Sequence, residues 1–390
     1  MERRRRSRTA TGRRLPPFLL AGVPGAHVDS TLRLLHRAGV ACDVLTTNPR
    51  LRPAGPVRRT LRAGVDVDDD WMIAALRWRE GHGGRVVLTD DWMLRAVRDS
   101  ALSADDQARL LAVTSPEHLG HVGSKAGLAG ALGAAGVPQP GFRVAAGVAD
   151  LPAACAAVGF PLLVKVDRSG GGDGVVACRS AAEMASLVDH LPAGPLLVQE
   201  WIDGTVVDLS GFFADGRPVH FGHAEFLATV GGPFTPSKVR RYTHPSVFGR
   251  GLLDAVATLA AALGLDGFAN VSAMRRSSDG ALLVIEADLR PNVWVEMTRH
   301  MGDDPAPAIR AWLERGEAMR WPRPPDGRTT MEIGYLLRLR AWQAWTNRHR
   351  AWCQFADHRP RSVLRLLSGR AGRWAGAFAR RCLPERAGPG

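Results

Sequence analysis

Residues 280–292 read GALLVIEADLRPN. Five apolar residues run straight into Glu286, Asp288 and Arg290, and an unbroken apolar run of that length fits a buried strand. Side chains at i and i+2 on a strand share a face, so Glu286 and Asp288 project together with Arg290 beyond them. Two carboxylates on one face at the end of a buried strand repel each other unless a cation sits between them. Mg²⁺ is commonly held by one or two carboxylates plus substrate phosphates. A polar strand end with an Arg–Asp surface pair would look the same, so this stretch alone leaves both readings open.

Working outward, residues 159–180, GFPLLVKVDRSGGGDGVVACRS, hold a buried apolar strand at Pro161–Val166 that delivers Lys165. The glycine-rich loop Gly170-Gly171-Gly172-Asp173-Gly174 follows, then a second strand. Consecutive glycines let backbone N–H groups close over a phosphate without obstruction by Cβ, while a lysine neutralises charge beside them. A flexible hairpin turn would carry the same glycines. Earlier in the chain, the Ala/Gly-rich run 118–137 reads as a helix carrying Lys125 and is closed by GVPQPGF. Later, GPLLVQEWIDG (194–204) is an apolar strand ending in Glu200, Trp201, Ile202 and Asp203. An acidic group there could accept from an adenine amino group, or simply be solvated. Asp215-Gly216 reads as a hairpin turn. The loop GGPFTPSKVRRYTHP (231–245) then brings Lys238, Arg240 and Arg241.

Only three of the 51 basic residues are lysine: Lys125, Lys165 and Lys238. Lysine retained in an arginine-dominated chain hints at sites where a compact ammonium differs from a planar guanidinium.

Taken in order, helix lysine, GVPxP, strand lysine, glycine-rich loop, hinge glutamate and E-x-(N/D)-x-R resemble the ATP-grasp superfamily over roughly residues 118–320. The resemblance implies a two-lobed α+β ATP-grasp domain behind a Rossmann-like α/β domain. It implies that Lys125 and Lys165 reach ATP phosphates under the loop Gly170–Gly174. Glu200 is then the adenine contact, with Trp201, Ile202 and Asp203 at the hinge, and Asp203 or Asp208 meets the ribose. Glu286 and Asp288 become Mg²⁺ ligands (Mn²⁺ substituting), and Arg290 steadies the transferred phosphoryl group. Lys238 and Arg241 lie in the loop expected to bring a further active-site cation. The chain departs from the pattern in two places. Asp288 stands where Asn is commoner, and the strand FANVSAM (268–274) has no carboxylate, so only Asn270 or Ser272 could serve the metal there.

Ahead of this region strands alternate with helices of about ten residues, the signature of βαβ units on a parallel sheet. Phe18–Val23 reads as the first strand rather than the core of a signal peptide, because LPPFLLAGV is short and opens on two prolines. Asp68–Asp70 is expected to cap the helix WMIAALRWREG. The turn AGVPGAH is not a GxGxxG, so no dinucleotide site is read there.

The 390 residues suit two or three domains. The expected divisions are a basic N-terminus (1–14), an α/β domain (15–117), the ATP-grasp domain (118–322) and an Arg/Trp-rich helical extension (323–390). The formal net charge of +13 is not spread evenly: residues 1–14 carry +6 and 331–390 carry +9, leaving about −2 on 15–330. That excludes a basic body built to hold nucleic acid. Residues 331–390 also hold four of the eleven tryptophans, Trp342, Trp345, Trp352 and Trp374. Amphipathic helices of that kind can lie on anionic membranes, bind RNA, or pack on the enzyme with their arginines solvated. Five dispersed cysteines with no CxxC pair argue against a disulfide framework and for a reducing, cytoplasmic setting with peripheral membrane contact as an option.

The implied chemistry is activation of a small-molecule carboxylate as an acylphosphate for attack by an amine, with the two substrates and ATP as partners and a homodimer as an option. The alternative is a catalytically weak ATP-binding regulator or membrane-recruited scaffold.

Overall fold

The first strand, β1 (Phe18–Ala21), is buried along its whole length, as expected of a strand inside a parallel sheet covered on both faces. The computed structural model describes residues 15–67, 70–170, 172–229, 237–292, 295, 297–317 and 330–331. In it β1 is followed by α1 (Ala26–Arg37), β2 (Cys42–Thr46), β3 (Arg59–Arg62), α2 (Trp71–His82), β4 (Arg85–Leu88), α3 (Asp91–Arg98) and α4 (Ala104–Leu110). The four strands are parallel, in the order β3-β2-β1-β4. The strand expected over Phe18–Val23 ends at Ala21. Gly22 already turns against β4's end, where a Cβ would lie 1.8 Å from Thr89 Oγ1. Asp70 caps α2 by accepting from the N–H groups of Met72 and Ile73, while Asp68 lies outside the described residues. On β2 the buried Asp43 accepts from Arg58 at 2.6 and 2.8 Å, from Arg59 at 2.9 Å and from Trp78 Nε1 at 2.8 Å. Burial pushes that carboxyl up, but the hydrogen bonds outweigh it and hold the pKa at about 2.

The Ala/Gly-rich run 118–137 is not one helix. A 3₁₀ turn spans Pro116–His121 and Gly123 takes φ +69°. Helix α5 (Lys125–Ala134) begins only at Lys125, with Ser124 as N-cap accepting from the Gly127 N–H. Lys125 is thus a helix-start residue, not a mid-helix one. Next come β5 (Phe142–Ala145), α6 (Leu151–Val158), β6 (Leu162–Val166), β7 (Val175–Cys178), α7 (Ala181–Leu187) and β8 (Leu196–Glu200). They form an antiparallel sheet ordered β5-β8-β6-β7, with Leu162, Val164, Leu196 and Val198 packed against Leu151 of α6.

The larger sheet runs β13-β12-β9-β10-β11, all antiparallel. Its strands are β9 (Gly204–Ala214), β10 (Arg217–Thr229), β11 (Ser237–Thr243), β12 (Phe268–Arg276) and β13 (Leu282–Asp288), with α8 (Gly249–Ala262) and α9 (Pro305–Arg315) beside them. Asp215 and Gly216 both take positive φ, +50° and +68°, as a two-residue hairpin turn requires. Leu19, Leu45 and Leu88 of the first sheet share one core with Val207, Leu209 and Val271 of this one. The line expected near residue 117 therefore separates two sheets but not two cores.

Residues from Thr330 onward count as a second unit. Apart from Thr330–Met331, the helical extension expected over 323–390 lies outside the described residues, as does the basic stretch 1–14. No helix among the described residues is long and apolar enough to cross a membrane.

Candidate active site

One carboxylate brings the two lysines together. Asp167, just past the end of β6, accepts from Ser124 Oγ at 2.9 Å and from the Ala126 N–H at 2.7 Å. It thereby satisfies orphan N–H groups at the start of α5 and fixes Lys125 beside the strand that carries Lys165. Lys125 Nζ donates to Ser169 Oγ at 3.0 Å and to the Ser169 carbonyl. The buried Lys165 donates to Gln199 Oε1 at 2.6 Å. Burial lowers both ammonium pKa values, that of Lys165 to about 8, while the Glu286 charge pulls each back up. Two ammoniums without a full complement of counter-charge suit a polyanion.

Two glycines of the following loop are dictated by geometry. Gly172 and Gly174 take φ +89° and +70°. A Cβ on Gly174 would approach Val166 Cβ to 2.9 Å, too close for any other residue. Gly170 is described and Gly171 is not. The loop sits against the first domain: Arg168 pairs with Asp99 at the end of α3, and Arg95 of α3 lies within 4 Å of the space beside Gly170.

On β12, Ser272 stands opposite both Asp208 on β9 and Glu286 on β13, and Asn270 opposite both Ser210 and Asp288. Opposed residues share a face, so these six form two polar rows on one side of the sheet. Ser272 Oγ donates to Asp208 Oδ1 at 2.5 Å, and Arg240 pairs with Asp208 Oδ2 at 2.5 Å. Asn270 Oδ1 accepts from Ser210 Oγ at 2.5 Å and from Asn292 Nδ2 at 2.7 Å. Among the described residues Glu286 has no such hydrogen-bond partner, and Asp288 has only Arg290 Nη2, at 3.5 Å from its Oδ2. Burial drives both carboxyl pKa values up, with Asp288 raised further by Glu286, while Lys125 and Lys165 oppose the rise at Glu286. Two repelling carboxylates backed by serine and asparagine oxygens fit a hard divalent cation such as Mg²⁺ or Mn²⁺. Among the described residues no group of three or more His, Cys, Asp or Glu makes a protein-only metal cage, and Mg²⁺ sites completed by phosphates do not need one.

Arg290 extends the carboxylate set toward the first domain. Its Nη2 donates to Asp91 Oδ2 at 2.8 Å, its Nε donates to Asp91 Oδ1, and Nη2 lies 3.5 Å from Asp288 Oδ2. Only 12% of its side chain is exposed. Asp91 opens α3 immediately after β4, at the carboxyl edge of the parallel sheet where such folds gather ligands. That position is the signal in RVVLTDD that could have marked it from sequence.

Other expected residues fall less simply. Gln199 and Glu200 are neighbours on β8 and so alternate between faces: Gln199 reaches Lys165, whereas Glu200 Oε2 accepts from the Gly141 N–H at 3.1 Å. Trp201 is exposed, Ile202 is buried, and the Asp203 carbonyl accepts from the Ser277 N–H. Asp208, expected near ribose, is instead buried in the carboxylate rows and paired with Arg240. Arg241 points away: it lies 3.9 Å from Glu225, on the opposite face from Arg240. Strand alternation thus brings Arg240, not Arg241, to the site. The Lys238 side chain lies outside what is described, though its backbone belongs to β11.

No protein-family model matches the chain. Among curated proteins, the uncharacterized protein y4rH of Sinorhizobium fredii is 35% identical over 97 residues, which cover 23% of this chain. The chain spans only about a fifth (20%) of that relative's length. Among solved structures, an L-amino acid ligase from Bacillus licheniformis superposes with TM-score 0.58 at 17% identity, over 82% of this chain and 80% of that one. N5-carboxyaminoimidazole synthetase from Staphylococcus aureus, complexed with ADP, gives 0.59 at 12% identity over 79% of each chain. The biotin carboxylase domain of a Hydrogenobacter thermophilus 2-oxoglutarate carboxylase, holding MgADP, ADP and bicarbonate, gives 0.58 at 16% identity, over 82% of this chain and 73% of that one. Identities this low speak for the fold.

Proposed function

We propose, from the ATP-grasp fold that this chain has, that it is an ATP- and Mg²⁺-dependent ligase that joins a carboxylate to an amine through an acylphosphate. The observation that carries the reading is the convergence of Lys125 and Lys165 on Glu286, with Asp288 and Arg290 on the same strand end. Cations for phosphate, carboxylates for a divalent metal and a guanidinium for a transferring phosphoryl group thus occupy one place.

Each group has a task set by its chemistry. Lys165, buried and tied among the described residues to the neutral Gln199 amide, offers its charge to the phosphates of ATP. Lys125 exchanges its hold on Ser169 for phosphate oxygens, which couples nucleotide binding to the glycine-rich loop. Trp201, Ile202 and Asp203 border the adenine through backbone atoms, with Glu200 beside them. Glu286 and Asp288 would hold Mg²⁺, which supplies charge neutralisation across the phosphates. Arg290, a planar two-pronged donor, holds the γ-phosphoryl group in line with the substrate carboxylate. The carboxylate oxygen attacks phosphorus and ADP leaves. The amine then attacks the acyl carbon and phosphate leaves.

The test is a screen of amino acids and small organic acids, alone and in pairs, for stimulated ADP release. A ligase responds to a carboxylate and responds further when the matching amine is present. A protein that binds ATP and releases no ADP with any pair is the scaffold of the alternative reading.

A further inference from the structure

An amine at neutral pH is an ammonium with no lone pair, so a ligase of this kind must take a proton from it before it attacks. The groups already assigned are poorly placed to do so. Glu286 and Asp288 are committed to the metal, Asp91 is engaged at both oxygens by Arg290, and Asp90 Oδ2 accepts from the Val23 N–H at 2.8 Å and from the Thr89 hydroxyl at 3.3 Å.

One nitrogen at this edge, Nε2 of His27, has no such commitment among the described residues. His27 stands in the first turn of α1, facing the end of β4, at the point where the order β3-β2-β1-β4 reverses direction between β1 and β4. Ligands of open α/β sheets bind at such reversals. His27 Nδ1 lies 3.2 Å from the Thr89 carbonyl oxygen. A carbonyl can only accept, so Nδ1 carries the hydrogen and Nε2 carries the lone pair. Thr89 is followed directly by Asp90 and by Asp91, the anchor of Arg290, so the imidazole sits one short turn of chain from the phosphoryl-holding guanidinium. The residue is half-buried, and its ring is held on the Nδ1 side by the Thr89 carbonyl.

We propose that His27 is the base that deprotonates the incoming amine, a role that rests on the ligase reading above. Nε2 takes one proton from the ammonium and becomes imidazolium. The freed lone pair forms the C–N bond at the acyl carbon, and the C–O bond to phosphate breaks with its electrons going to oxygen. The second nitrogen proton leaves with the product phosphate as HPO₄²⁻, and the imidazolium returns its proton to water. The charged groups facing the ring suit this cycle. Burial and the Arg290 charge lower the imidazole pKa below its ordinary value of 6.5, while the Thr89 carbonyl, Asp90 and Asp91 work against them. The ring therefore waits neutral at pH 7, and the two carboxylates steady the imidazolium when it forms.

Two measurements on the full chain test the role. Long-range ¹H–¹⁵N NMR, with His27→Gln identifying the signal, should show a neutral ring hydrogenated on Nδ1 at pH 7. An imidazolium at that pH, or a ring hydrogenated on Nε2, overturns the proposal. The second compares amide formation among the proteinogenic amino acids with hydroxamate formation when hydroxylamine is the nucleophile. Hydroxylamine is already unprotonated at neutral pH and needs no base. His27→Gln should lose roughly 100-fold in amide formation, less as pH rises toward the amine's own pKa, while hydroxamate formation persists. Equal loss of both products, or loss of neither, sinks the assignment of His27 while leaving the ligase standing. A wild-type chain that makes no hydroxamate at all sinks the ligase reading and this role with it.

Discussion

Asp91 and Arg290 are 199 residues apart in sequence and meet in a two-pronged pair, Nη2 to Oδ2 at 2.8 Å and Nε to Oδ1. The first domain thus supplies the carboxylate that aims the arginine of the carboxylate strand. Asp91→Asn keeps the shape but removes the charge that fixes the fork. Turnover should fall at least tenfold, on the order of 1.4 kcal/mol in the barrier, with ATP affinity unchanged because both lysines remain. Steady-state kinetics beside calorimetric ATP titration reads both quantities.

Lys165 is almost fully buried and, among the described residues, has Gln199 as its hydrogen-bond partner. Replacing it with Ala should weaken ATP binding tenfold or more, again about 1.4 kcal/mol. Unchanged affinity in a folded Lys165→Ala protein removes Lys165 from the phosphate site.

The elements holding these groups were largely legible in the sequence. The run into Glu286 gave β13, the Gly-rich segment gave the β6–β7 hairpin, and Asp215-Gly216 gave the β9–β10 turn. Each depends on local chemistry, either an apolar run or a residue type the backbone demands. The start of α5 is hidden in the sequence because the Ala-rich run masks the Ser124 cap and the left-handed Gly123. What sequence could not disclose were pairings across sheets and domains: Asp91 with Arg290, Gln199 with Lys165, and Arg240 with Asp208. Choosing Arg241 over Arg240 required knowing which face of β11 meets the carboxylates, and register alone settles that.

The neighbouring arginines separate cleanly by mutation. Arg240→Ala leaves Asp208 buried without its cation, a change that typically costs about 3–5 kcal/mol. Arg241 is 45% exposed, and its removal should change stability by less than about 0.5 kcal/mol. Urea denaturation of the two variants checks the contrast, and equal effects contradict the alternation of β11.

Two sets of buried groups lose their contribution to stability as pH falls. His121, whose Nε2 lies 2.9 Å from the Leu263 carbonyl, and His223 are buried and depressed by that burial to about 4, from 6.5. Between those values the unfolded chain binds more protons than the folded one, so stability rises with pH across that window. The contribution is complete above pH 6.5 and is lost as pH falls toward 4. Asp43, at about 2 against an ordinary 3.8, adds a second loss below pH 3.8. The raised carboxyls of Glu286 and Asp288 act in the opposite sense over this range, so the histidine contribution is read by difference. In urea midpoints measured from pH 8 to pH 4, wild type should lose more stability than His121→Gln as pH falls below 6.5.

We propose that Glu286 and Asp288 hold the metal that makes Mg²⁺-dependent phosphoryl transfer possible, while the lysines bind the nucleotide. The most direct measurement is ADP and hydroxamate formation by the wild-type chain and by Glu286→Ala, on the acid that best stimulates the wild type, with Mg²⁺, ATP and hydroxylamine present. Wild type should yield ADP and hydroxamate in equal amounts. Glu286→Ala should yield neither while retaining much of the ATP affinity set by Lys125 and Lys165, because losing a metal ligand harms the transition state more than nucleotide binding. Wild-type rates of ADP and hydroxamate formation in Glu286→Ala would contradict the account.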